Sequence, residues 1–352
     1  MKQWISRLGL LLAFASHGVC QDAGDAFQKF EPEVRKAVDS GLEALLSLER
    51  EDGTFPDEYG RSTGISSLVG MAFLSTGATP GNGRYGEAIN RRIDYALKYA
   101  GKEGVITAGE HGNGPMYAHN ISTLFLSECS GMVDADRQKK IDETLPKAVG
   151  IILRAQAVKK DERHQGGWRY HPGSPDSDMS CSGWALMALR SARLNGAGVP
   201  PSAIDSAVKY VLRNQDAKSG SVGYQDEQQH KDSLTGAGLL CLELCGRHAA
   251  PESLLAAEWI LRHHTKLRGG QFELYGNYYN AQGMFQMGGK YWKTYAEWMY
   301  ATYLAQQKAD GTWESDGERG KRPYSTSLMI LAMTVPFRQL PIYQRDERVD
   351  EE

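Results

Sequence analysis

Asp176 and Asp178 stand one residue apart in a proline-glycine loop, Pro172-Gly173-Ser174-Pro175-Asp176-Ser177-Asp178, directly before an apolar run that begins at Ser180. Carboxylates in such a place have three uses. One oxygen can accept hydrogen bonds from the free N–H groups of a first helical turn, with Ser174 and Ser180 able to do similar work. Two neighbouring acids can hold a proton and deliver it as a general acid. Either can also contact a ligand without chemistry. A second group of candidates is spread along the chain, each near the start of an apolar run: Arg61, Tyr117, His119, Asp232, Tyr279, Asn280 and Tyr324. Polar and aromatic groups at equivalent points of a repeated plan can surround one bound molecule, or serve only as caps and solvated loops. Trp168 and Trp184, with Tyr170, Tyr278, Tyr291 and Trp292, offer ring faces to an apolar molecule, a cation or a sugar. No phosphate loop, dinucleotide fingerprint or Ser-His-Asp signature accompanies them, so no cofactor is expected.

The elements that must position these groups follow one plan. A polar-faced helix ends in a glycine-aromatic turn, a loop follows, and then comes a helix that is apolar on nearly every side. In the first unit Glu31 to Arg50 places Val34, Val38, Leu42 and Leu45 at helical spacing, Phe55 marks the turn, and Ser62-Thr63 caps an enclosed helix to Thr76. The plan returns five times. The enclosed segments are Ile121–Cys129 capped by Asn120, Ser180–Leu194, Leu234–Cys245 capped by Asp232-Ser233, a short one from Asn280, and Ser325–Val335. The markers Phe55, Trp168, Tyr224, Phe272 and Trp313 fall about 40 to 60 residues apart once a divergent second unit is allowed for. Their expected role is structural, glycine reversing the chain and the ring packing between hairpins. Six charged-faced helices alternating with six apolar ones predict an all-α fold: an α/α toroid of about six helical hairpins, with an inner ring sheathed by an outer one. Loops from all units then meet at one end of the inner ring, and the candidate residues above would share that mouth.

A net charge of -3 over 352 residues offers nothing to nucleic acid. Residues 1–20 read as a secretory signal: Lys2 and Arg7, then the apolar Leu8 to Ala15, then small residues. Residues 21–340 are assigned to the toroid and 341–352 to an acidic tail. That apolar stretch is shorter than the roughly 20 residues needed to span a bilayer, so an exported protein with no transmembrane segment is expected. Cys20 offers a lipidation site as an alternative. Cys129, Cys181, Cys241 and Cys245 fall in apolar runs and read as buried thiols.

Three segments carry a resemblance to a known superfamily. Leu153-Arg154-Ala155-Gln156 precedes Gly166-Gly167-Trp168, Leu212-Arg213-Asn214-Gln215 precedes Gly223-Tyr224, and Leu304-Ala305-Gln306-Gln307 precedes Gly311-Thr312-Trp313. Glutamine near the end of an outer helix, followed by glycine and an aromatic residue, resembles the glutamine-tryptophan motif of the prenyltransferase and squalene oxidase repeat superfamily, which includes terpene cyclases and protein prenyltransferase β subunits. The resemblance runs through nearly the whole chain and implies the toroid fold. Squalene-type cyclases usually hold two such domains, and this chain is similar to one alone. It implies a terpene-cyclase-like site, in which the family's Asp-x-Asp-Asp protonates an alkene or epoxide; here Asp176-Ser177-Asp178-Met179 lacks the last carboxylate, and Asp178 would be the acid. The β-subunit zinc site is only loosely matched, Asp178 and Cys181 being three apart instead of two, with His230 or Asp232 as a further ligand, so no metal is expected. The resulting reading is an exported terpene-cyclase-like protein that binds an apolar isoprenoid-type molecule and can cyclise it by protonation. Two alternatives stand beside it, a noncatalytic extracytoplasmic toroid that binds a protein or glycan, and a polysaccharide-active enzyme using carboxylates and tyrosines.

Overall fold

The computed structural model describes residues 26–109, 112, 114–315 and 321–344. The expected signal, Cys20 and the chain from Arg345 onward lie outside them. Among the described residues twelve α-helices alternate between two rings. The outer helices are α1 (Glu31–Leu48), α3 (Gly86–Lys98), α5 (Ala135–Ala157), α7 (Pro201–Arg213), α9 (Pro251–His263) and α11 (Gly289–Leu304). The inner ones are α2 (Thr63–Leu74), α4 (Met116–Cys129), α6 (Met179–Leu194), α8 (Lys231–Leu244), α10 (Glu273–Met287) and α12 (Lys321–Met333). Periodicity decides which ring a helix joins. In α1, Val34, Val38, Leu42 and Leu45 are buried while Glu33, Lys36 and Asp39 face solvent. In α2 every residue is buried, as its all-round apolar sequence requires.

Each inner helix packs against the next, and α12 packs back against α2, so the ring closes. Thr334 donates to Ser75 Oγ at 2.8 Å across that closing seam, and α11 lies against α1 outside it. The three motif glutamines perform one task. Gln156, Gln215 and Gln307 each donate from the side-chain amide to a glycine carbonyl of their own turn, Gly166 (2.9 Å), Gly220 (3.1 Å) and Gly311 (2.9 Å). Each also donates to a carbonyl of the following outer helix, Ala203 (2.8 Å), Glu252 (2.9 Å) and, for Gln307, Ala37 of the first helix (2.7 Å). Gly166 takes a left-handed φ of +84°, and a Cβ there would sit 2.1 Å from the Ser206 carbonyl oxygen of α7. Trp168 and Trp313 are fully buried and donate their indole N–H to the Ile152 and Tyr303 carbonyls of their own outer helices.

Four inner helices begin three or more residues earlier than the sequence predicts, α12 among them, at Lys321 instead of Ser325. Helix α4 starts at Met116, so Asn120 is a fully buried second-turn residue instead of a cap. Helix α8 starts at Lys231 after His230 in left-handed conformation, and no side chain caps it; Asp232 is exposed in its first turn. Helix α10 runs from Glu273, seven residues before Asn280. Its glycines and amides disguise it because they serve close packing: a Cβ on Gly276 would approach Ser233 Cα to 2.9 Å, and one on Gly236 would approach the Asn280 backbone nitrogen to 2.5 Å.

The C-terminal ends of the inner helices are crossed by the short 3-10 turn Pro341–Tyr343, which extends the packed structure past residue 340. Ile342 donates its N–H to Glu128 of α4 (3.1 Å), Tyr343 shares a hydrogen bond with Tyr278 of α10 (2.8 Å), and Gln286 donates to the Tyr343 carbonyl (2.9 Å). Helices from opposite sides of the ring are thereby tied beneath it.

Candidate functional site

The opposite end, where the inner helices start, is open. A cavity of about 370 Å³ enters it, and all six inner helices contribute to its wall. Ile65 and Leu68 of α2, Ile121 of α4, Trp184 of α6 and Leu234 of α8 lie one or two turns in and make an apolar floor. The rim is aromatic and hydroxylic: Tyr59, Tyr117, Tyr170, Ser180, Tyr224, Phe272, Tyr275 and Tyr324, with His230. Among the described residues no carboxylate, ammonium or guanidinium lines this cavity. Its chemistry is therefore that of burial and neutral hydrogen bonding. Trp184 is held rigid by Tyr278, stacked at 5.6 Å, and by the edge of Tyr279 at 5.5 Å.

Asp178 lies just behind the rim, fully buried. The chain from Trp168 folds back so that the Asp178 N–H reaches the Trp168 carbonyl (2.9 Å), and Asp178 becomes the N-cap of α6. Its Oδ1 accepts from the Cys181 N–H (2.8 Å) and the Ser180 hydroxyl (2.5 Å), and its Oδ2 accepts from Arg169 (3.2 Å). Burial pushes its pKa up, while Ser180, the Cys181 N–H and Arg169 act in the opposite direction. Arg169 also reaches Asp176 Oδ2 at 3.3 Å. A guanidinium therefore stands between the two aspartates, and the proton-sharing pair suggested by their spacing is not formed. Asp176 is partly exposed, its Oδ2 also accepting from Gln225 (3.2 Å).

Two hydrogen-bonded chains lead from this buried ion pair to the rim. One runs from Asp178 through Ser180 to the Tyr117 hydroxyl. The other runs from Arg169 to the Tyr224 hydroxyl (3.0 Å) and on to Tyr170. Arg169 is sandwiched between those last two rings, 4.3 Å from Tyr170 and 5.4 Å from Tyr224. Burial raises the pKa of Tyr117, Tyr170 and Tyr224, so all three phenols keep their hydrogens.

Of the other residues expected at the mouth, Tyr117, Trp184 and Tyr324 are on the cavity wall. Arg61 and Asp232 are exposed and off it. His119 is two positions past Tyr117, which turns it to the outer side of α4. There its Nδ1 accepts from the Ile106 N–H (3.1 Å), its Nε2 faces the Ala148 carbonyl (3.2 Å), and burial holds its pKa down at about 4. Trp168 is a packing staple, and Tyr279 and Asn280 lie buried inside α10, away from the wall, because that helix starts so early. Tyr224 and Phe272, expected as staples like Trp168, instead line the cavity, and Arg169 was not anticipated. The one sequence signal for Arg169 is its position between Trp168 and Tyr170 in the only turn that also carries the acidic loop.

Cys181 points its Sγ to the Arg169 carbonyl (3.0 Å), and no three His, Cys, Asp or Glu side chains among the described residues are grouped to hold a metal ion. The four described cysteines are free, Cys245 being only partly buried. Nor is any helix among these residues long and apolar enough to cross a membrane.

No family model and no curated protein matches the chain. Solved structures do. A type II terpene cyclase from Scytonema, in complex with geranylgeranyl dihydroxybenzoate, is 12% identical with a TM-score of 0.54, the match covering 88% of this chain and 99% of that one. An α-1,6-mannanase of Salegentibacter, in complex with α-1,6-mannotriose, is 11% identical with a TM-score of 0.60, over 85% of this chain and 98% of that one. Cellobiose 2-epimerase from Bacillus thermoamylovorans is 12% identical with a TM-score of 0.63, over 87% and 99%. At such identities the likeness is one of architecture, and this chain is an α/α toroid of six helical hairpins, the fold shared with a terpene cyclase, a mannanase and an epimerase.

Proposed function

We propose that the protein is an exported toroid that binds an uncharged, largely apolar isoprenoid-type molecule in its mouth, without using Asp178 to protonate it. The observation that carries this reading is the wall of the cavity, apolar at depth and aromatic above, with no charged side chain among the described residues. Such a surface favours hydrocarbon by burial and gives no compensation to a diphosphate or carboxylate. The complex of a terpene cyclase with a geranylgeranyl compound on the same fold supports the ligand class. At the packing density of about 0.74 typical of protein interiors, a space of this size holds on the order of 15 to 20 non-hydrogen atoms. Farnesol is of that size. Acid catalysis by Asp178 is not part of the proposal, because that carboxylate is off the wall and ion-paired with Arg169. Export rests on the charged, apolar and small segments of residues 1–20.

Titration calorimetry with farnesol, mannotriose and cellobiose tests the reading. Farnesol is expected to bind, to lose about tenfold or more in affinity in Trp184→Ala, and to be recovered unchanged after incubation. Binding of either sugar with no binding of farnesol would refute the ligand class, and a cyclised product would refute a purely binding role.

A further inference from the structure

Resting on that reading, we infer that the rim of the cavity is built to read a hydroxyl group on the apolar ligand, with Tyr117 accepting its hydrogen and the Tyr170–Tyr224 pair donating to its oxygen. The direction of each hydrogen bond follows from the buried ion pair. Asp178 receives three donors, the Cys181 N–H, the Ser180 hydroxyl and Arg169, so it acts throughout as an ionised acceptor. The Ser180 hydrogen is therefore committed to Asp178, and in the Ser180–Tyr117 contact Ser180 must accept. Tyr117 gives its one hydrogen to Ser180 and is left with lone pairs only. At the rim it can accept and cannot donate.

The opposite order holds along the second chain. Arg169 has no lone pair to offer, so Tyr224 accepts from it. Tyr170 and Tyr224 then share one hydrogen bond between two phenols that hold two hydrogens. Whichever ring donates, one hydrogen is left over, and both rings line the cavity. The Tyr117 and Tyr170 rings lie 5.7 Å apart, so Tyr117 and the hydrogen-bonded Tyr170–Tyr224 pair are neighbours on one stretch of rim. Among neutral oxygen groups, an alcohol satisfies both at once. An ether, aldehyde or ketone can only accept, and a hydrocarbon can do neither. Arg169 and Asp178 touch no ligand in this scheme; they are positioning residues that fix which way each phenol points.

The experiment compares three ligands of one skeleton, farnesol, farnesol methyl ether and farnesene, on the wild type and on Tyr117→Phe. In the wild type farnesol is expected to bind about tenfold more tightly than the ether, as for one neutral buried hydrogen bond. In Tyr117→Phe that advantage disappears, while affinity for the ether and for farnesene is unchanged, which also shows the cavity intact. Equal affinities for all three ligands in the wild type would overturn the hydroxyl assignment and leave the apolar reading standing. Equal losses for all three in Tyr117→Phe would overturn it as well, since the phenol would then be a packing element. Failure of all three to bind the wild type would overturn the apolar reading beneath it.

Discussion

Glu128 offers the sharpest test of the packing beneath the ring. Its carboxyl is fully buried, accepts from Ser191 and from the Ile342 N–H, and has no cation beside it among the described residues; burial raises its pKa from 4.5 to about 7. The folded form thus holds a proton that the unfolded chain has already released over the range between those values. For an acid raised in this way, its contribution to stability is intact below pH 4.5 and is lost as pH rises toward and past 7. Linkage gives a loss of about 1 kcal/mol at pH 5 and about 3 kcal/mol at pH 8, a change of about 2.5 kcal/mol. Glu128→Gln keeps an acceptor oxygen for Ile342 and removes the titration. Urea unfolding of both proteins, followed by circular dichroism at pH 5 and pH 8, should show the variant gaining about 2.5 kcal/mol on the wild type between the two conditions. Other groups titrate in both proteins and cancel in the difference. A difference between the two proteins that is the same at both pH values would refute the argument, because the carboxyl would then be ionised in the fold or already near its unfolded value.

Two further outcomes follow from the same packing. His119, held at about 4 from an ordinary 6.5, contributes stability that is present above pH 6.5 and lost as pH falls toward 4. Acid unfolding of His119→Gln should accordingly show the variant gaining on the wild type by about 3 kcal/mol between pH 7 and pH 4. Gly166→Ala places a Cβ 2.1 Å from the Ser206 carbonyl at a left-handed φ, whereas Gly173→Ala meets nothing within 4 Å. Thermal melts should separate them, with a loss of about 3 kcal/mol or more for the first and within about 0.5 kcal/mol of wild type for the second.

The fold was legible because its signals repeat. One alternation of half-apolar and wholly apolar helices, joined by one glutamine-glycine-aromatic turn, is enough to specify two rings, and the amides of Gln156, Gln215 and Gln307 do for the backbone what their recurrence suggests. The site was only partly legible, since a wall residue is set by helix start and rotation. Helix α10 hides its first seven residues behind glycines and amides that serve its contact with α8, and so Tyr279 and Asn280 were placed at the mouth when Phe272 and Tyr275 occupy it. His119 fails by rotation alone. Asp178, expected at the mouth, lies behind its rim, and the residue that decides its chemistry, Arg169, reaches it across nine positions by a loop whose path no periodicity encodes.

The hydrogen bond from Gln307 to Ala37 joins positions 270 apart, and the one from Thr334 to Ser75 joins positions 259 apart. A linear array of hairpins can fray from an end and keep the remainder, because each unit needs only its neighbours. In a closed circle no hairpin is terminal. The last seam can form only after nearly all of the chain has left the ribosome, and until then the flanks of α2 and α12 are exposed to whatever else is present. The same circularity makes the order of the hairpins along the chain a matter of synthesis more than of structure. Cutting a surface turn such as the one at Gly196 to Gly198 and splicing residue 344 toward residue 26 by a linker would ask the molecule for the same twelve helices in the same two rings.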